Sequence, residues 1–167
     1  MTAYRIPLPA RSGPADVGDG RFSVERWACG VAASWEEWPP DRYTFALPNV
    51  GRPVFVDHEE DQIVTSGSAP ADVGVARRFA ETGGLVIVLI ELSAASVVWD
   101  LAQGKRNGLS IKAHLDPPPG GGPEWVHIAE VSLTSRPRDP LARVVSTGQF
   151  ALHDWQVLTG EPVLGQA

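Results

Sequence analysis

"NGLSIKAHL", residues 107–115, decides the fold class. Its apolar residues Leu109, Ile111, Ala113 and Leu115 fall on one face and Ser110, Lys112 and His114 on the other. A period of two is a half-buried strand, not a helix. A lone hydroxyl on the polar face of such a strand is either a solvated surface serine or a nucleophile. The second reading needs a base from elsewhere in the chain.

Strands lie on both sides of this stretch. "LVIVLIEL" (85–92) is apolar on both faces, as a strand buried on both sides must be. "EWVHIAEVSL" (124–133) is a second strand with apolar side chains on both faces, reached through the turn-rich "DPPPGGGP" (116–123). Toward the N-terminus, "RFSVERWACGVAASW" (21–35) is strand-like, and "PVFVDH" (53–58) and "QIVTSGSA" (62–69) are short strands. "EEWPPDRYTFALPNVG" (36–51) is expected to be an aromatic-bearing loop. Val75 and Phe79 predict a helix over "ADVGVARRFAETGG" (71–84), capped by Asp72 and stopped by Gly83. "SAASVVWDLAQG" (93–104) predicts a short helix from Ser93 to Gly104, and "PLARVV" (140–145) a helical turn. The sum is a β-rich α+β domain with two or three short helices.

At 167 residues the chain is most simply one domain, long enough to bury about two-thirds of its unfolded surface. Residues 1–20 are rich in Pro, Gly and Ala and read as a flexible arm; 21–145 form the domain, and 146–167 a weakly patterned tail. The N-terminus lacks a signal-peptide h-region, and no apolar run approaches the length of a bilayer span. A single cysteine, Cys29, permits no internal disulfide; these features together predict a cytoplasmic protein with no membrane partner. Net charge is −6, from 14 basic and 20 acidic residues with no basic stripe, which argues against nucleic acid as a partner.

The base for Ser110 is sought on other strands. His114 shares its face but lies four residues along, about 13 Å away, beyond hydrogen-bond reach. His58 ends "PVFVDH" in register with Val54 and Val56 and is the candidate base. A third group must orient the imidazole. Glu130 alternates with Val126 and Ile128 in so apolar a strand that its carboxylate needs a partner, which makes it the candidate; His127, on the opposite face, is the alternative. "DHEED" (57–61) lacks a spaced second histidine, so no metal is expected, and no sequence feature calls for a cofactor. Cys29, mid-strand among small apolar residues, is read as a buried hydrophobe.

The order "VDH", "GLVIVLIELS", a short helix ending in Gly, "GLSI" and "AEVSLTSRPRDPLARV" resembles the prohead maturation proteases of tailed bacteriophages over about residues 22–145. These are serine peptidases similar in fold to the herpesvirus assemblin proteases. The resemblance implies a mainly antiparallel, barrel-like sheet with a few short helices. It makes Ser110 the nucleophile, His58 the general base and Glu130 the third residue, with Arg136 in "TSRP" a weak candidate for holding the oxyanion. It also implies a capsid-maturation endopeptidase acting on the major capsid protein, the scaffolding segment and its own termini inside an immature shell in the host cytoplasm. Two departures stand out: Lys112 and Ala113 follow "LSI" where the family carries Gly and an aromatic, and residues 71–84 look like an insertion. A non-catalytic capsid-assembly or scaffolding protein retaining the protease fold is the alternative.

Overall fold

The computed structural model describes residues 26–57, 72–93 and 95–161. The 1–20 arm, "QIVTSGSA", His58 and the rest of "DHEED" beyond Asp57 lie outside them. Eight strands occur in chain order: β1 (Trp27–Ser34), β2 (Tyr43–Ala46), β3 (Arg52–Val56), β4 (Gly74–Thr82), β5 (Leu85–Leu92), β6 (Gly108–Asp116), β7 (Glu124–Thr134) and β8 (Arg143–Thr147). Helix α1 (Ala95–Ala102) follows β5, and α2 (Gln149–Thr159) follows β8. The order β7-β3-β4-β5-β1-β8-β6 returns to β7 and closes a seven-strand barrel, with β2 added to a free stretch of β7. Closure removes nearly all exposed strand edges, which is how a strand-rich chain avoids pairing with its neighbours. The pairings are antiparallel except for β2 and β3, which run parallel to β7.

The interior is apolar. β5 sends Val86, Val88, Ile90 and Leu92 inward, where they meet Leu109, Val126, Ile128, Val131 and Leu133. Its other face, Ile87 and Leu89, is equally buried, because α2 lies outside it. Ala151, Leu152 and Trp155 form one face of α2 and pack on Trp27, Cys29, Ile87 and Leu89. Arg78 holds this cover in place, with its guanidinium 5.7 Å from the Trp155 ring centroid and 3.1 Å from the Glu161 carboxylate. Residues 146–161, expected as a tail, are therefore the end of β8 and a packed helix. The apolar residues of α2 do not keep to one face, since Phe150, Val157 and Leu158 are exposed, and Trp155 is its largest buried side chain.

Within the stretch expected to be a helix, Gly74–Thr82 form strand β4. Val75 and Phe79 do not share a face: the register slips between Ala76 and Arg78, so that Arg77 is an extra residue, and Ala76 and Phe79 are the pair that turns into the interior. "TGG" is the hairpin turn into β5: Gly83 (φ 58°) and Gly84 (φ 80°) both take the left-handed conformation of a two-residue I′ turn. The aromatic loop contains the short strand β2, and "PLARVV" is a turn leading into β8 rather than a helical turn. Both are short enough that pairing, not local pattern, decides them. Among the described residues no helix is long and apolar enough to cross a membrane.

Candidate functional site

Strands β6 and β7 pair along almost their whole length, and residues directly opposite each other point to the same side. Leu109, Ile111 and Ala113 join the interior cluster, so Ser110, Lys112, His114 and Asp116 face outward. Their partners are Ser132, Glu130, His127 and Trp125. The outer surface of this wall is thus a ladder of four cross-strand pairs: Ser–Ser, Lys–Glu, His–His and Asp–Trp.

Glu130 reaches this surface by a correction to the simple pleat. The register shifts between Lys112 and Ala113, which leaves Ala129 without an opposite residue. Val126 and Ile128 on one side of this bulge, and Val131 and Leu133 on the other, all turn inward. Glu130 therefore does not share the face of Val126 and Ile128, as strict alternation would have it. It stands beside Ser132, and is a diagonal neighbour of Ser110 at about 7–8 Å between side-chain roots, within reach of a long side chain. It is buried, with 4% of its surface exposed.

Ser110 opens onto a cavity of about 600 Å³ lined also by Glu37, Trp38, Asp57, Lys112, Thr134, Arg136 and Arg138. Asp57 follows β3, its N–H donating to the Leu133 carbonyl at 2.9 Å. Its φ of 53° ends the extended conformation, so the alternation that Val54 and Val56 carry toward residue 58 stops at Asp57. His58 itself lies outside the described residues, as do the other members of "DHEED". Glu130 is not part of the cavity lining.

The remaining histidines of this wall stay away from the cavity. His114 and His127 are exposed and stand opposite each other, four residues along β6 from Ser110. His127 Nε2 is 3.7 Å from an Asp116 carboxylate oxygen. The alternative third residue is therefore not brought to Ser110. Cys29 is fully buried, and burial reinforced by Asp154 pushes its thiol up to about 12, so it stays protonated and inert.

Gly108 lets the Arg-bearing segment approach β6: a side-chain carbon there would come within 2.6 Å of the Pro137 ring and 2.7 Å of the Thr134 carbonyl. Asp139 anchors the far end of the segment. Its buried carboxylate accepts from the Ser34 N–H at 2.6 Å, the Ser34 hydroxyl at 2.7 Å and the Leu141 N–H at 3.0 Å. This ties the end of β1 to the turn after β7 and fixes Arg136 and Arg138 at the cavity's rim. Burial pushes the Glu37 carboxyl above its ordinary value; Asp139 adds to that and Arg138 opposes it.

Sequence reasoning missed Glu37, Trp38, Thr134 and Arg138. "RPRDP" offered a signal, since an Asp between two prolines is a turn residue with a carboxylate to satisfy. Glu37 offered none, because it arrives from a segment far away in sequence. No family model, no curated protein and no solved structure matches the chain, so the functional reading rests on these residues and their geometry.

Proposed function

We propose that the chain is a serine endopeptidase of the herpesvirus-protease-like kind, acting in bacteriophage capsid maturation as the resemblance over residues 22–145 implies. The observation that carries the reading is the setting of Ser110. It stands on the outer, polar face of a rigid strand and opens onto a substrate-sized cavity that also takes in Asp57, the residue before His58. Nucleophiles are best held on such elements, because the strand fixes the hydroxyl within narrow limits.

In this mechanism the Ser110 Oγ attacks a peptide carbonyl while the His58 imidazole takes its proton. The same proton then goes to the leaving amine, and water hydrolyses the acyl-enzyme. Glu130, buried beside Ser132, supplies the carboxylate that orients and stabilises the imidazolium. The substrates are the major capsid protein and its scaffolding segment, together with the chain's own termini, inside an immature shell in the host cytoplasm. No metal or cofactor takes part.

A second reading, a non-catalytic capsid-assembly protein that keeps the fold, is favoured by one observation. Lys112 stands directly opposite Glu130, and a carboxylate engaged by an ammonium is less able to orient an imidazole. A fluorophosphonate probe separates the two. Wild-type protein should label at Ser110 and the His58→Ala variant should not; a folded wild type that fails to label would leave only the assembly role.

A further inference from the structure

The charge of the Ser110 cavity is opposite to that of the chain. The whole protein carries −6. Among the described residues, the cavity lining carries Lys112 (which also stands opposite Glu130), Arg136 and Arg138 against Glu37 and Asp57. Three of the 14 basic residues thus converge on one concavity beside the candidate nucleophile. A concave, partly water-excluding wall focuses the field of such groups more than a flat surface does.

Two features make the arrangement more than a chance cluster. Arg136 and Arg138 sit on a segment pinned by the close approach of Thr134 and Pro137 to Gly108 and, at its far end, by the Asp139 carboxylate on Ser34. The ordering entropy of that segment is therefore met in the folded protein before any ligand arrives. Glu37, the acidic group from the opposite rim, has its ionised form disfavoured by burial and by the Asp139 carboxylate, with Arg138 opposing both. The cavity's positive character is thus only partly offset.

We propose that this cavity selects peptide substrates carrying an acidic side chain within a few residues of the cleaved bond, with Arg138 and Arg136 as the specificity-determining groups. The proposal rests on the peptidase reading above and adds the substrate class to it. Guanidinium groups suit the task because they meet a carboxylate with two parallel N–H donors in a fixed plane. A substrate glutamate or aspartate would approach an otherwise acidic protein and find complementary charge in this cavity. Basic residues near the cut would be rejected by like charge, which gives the selection a repulsive element as well as an attractive one.

The test has two arms on the full chain. Fluorophosphonate labelling of Ser110 first reports whether the serine is activated. A peptide library prepared from a whole proteome is then digested, and the residues flanking each cut are read by mass spectrometry. Acidic residues within three positions of the cut should be enriched about threefold over their library frequency, as expected for exposed charge pairs. The enrichment should fall toward unity in Arg138→Gln and turn toward Lys and Arg in Arg138→Glu, with both variants shown to be folded by their melting temperatures. It should also shrink in 0.5 M salt. Labelling of Ser110 without acidic enrichment overturns the specificity while leaving the peptidase reading standing. So does labelling with no library peptide cut, because the library holds every acidic context. No labelling at all overturns the peptidase reading and the specificity with it.

Discussion

The two broad walls of the barrel share an interior but not an exterior. β4, β5 and β1 form one wall; β6, β7 and β3 form the other. Both send aliphatic side chains into the same cluster. Outside, β5 and β1 present Ile87, Leu89, Trp27 and Cys29, and α2 covers them with Trp155. The second wall carries Ser110, Lys112 and two histidines, with a cavity at Ser110 in place of a helix and with Ser132 and Glu130 buried among them. An apolar outer face has to be covered; a polar one can stay open and handle a substrate. Both walls also carry extra residues, Arg77 in β4 and Ala32 in β1 on the first and Ala129 in β7 on the second. In the first they let strands stay buried on irregular paths. In the second the extra residue turns Glu130 toward Ser110.

If the open wall is the working one, Ser110→Ala should lower peptide-bond hydrolysis by about 10⁴-fold or more while changing unfolding free energy by no more than about 1 kcal/mol. Residual proteolysis by a clean preparation of the variant would remove the distinction between the walls. The covered wall should behave in the opposite way. Trp155→Ala leaves a large void over Ile87 and Leu89 and should cost about 3–5 kcal/mol in denaturant titrations. A cost below 1 kcal/mol would mean that α2 is not part of the stable fold.

Asp139→Asn tests the strap between the walls. The new amide donor faces the Ser34 N–H, and the loss should be about 1–3 kcal/mol, read as a lower midpoint of unfolding. An unchanged midpoint would show that the Arg-bearing segment is held by Pro137 alone.

Glu37 gives a smaller, pH-dependent effect. Its folded-state pKa is raised above the unfolded value. Its contribution to stability is therefore fully present below the unfolded pKa, near 4.5, and is lost as pH rises through the folded one. The melting temperature of Glu37→Gln should draw ahead of wild type as pH rises from 4.5 to 7. A gap that stays constant over that range would contradict the burial of the carboxylate. The smallest effect belongs to Cys29: with its thiol held protonated, a disulfide reagent at pH 8 should find no reactive group until the protein is unfolded. Rapid titration of the native protein would show that the covered wall opens.

Alternation and composition by themselves determined β1, β3, β5, β6 and β7. "LVIVLIEL" read as a strand buried on both faces, and the alternation of "NGLSIKAHL" placed Ser110 opposite Leu109 and Ile111. Those are local properties, set by a period of two. The tertiary structure alone decided whatever depended on a neighbour. β4 was hidden because Val75 and Phe79, four residues apart, read as one helix face, whereas the extra residue Arg77 sends them to opposite faces, and Glu130 changed faces because of the bulge at Ala129. β2 exists only through its pairing with β7, and α2 is held by the packing of one tryptophan. The cavity was beyond sequence reasoning for the same reason. It joins a loop before β2, the end of β3, one strand of the second wall and a strapped turn, and only closure of the barrel brings those four segments together.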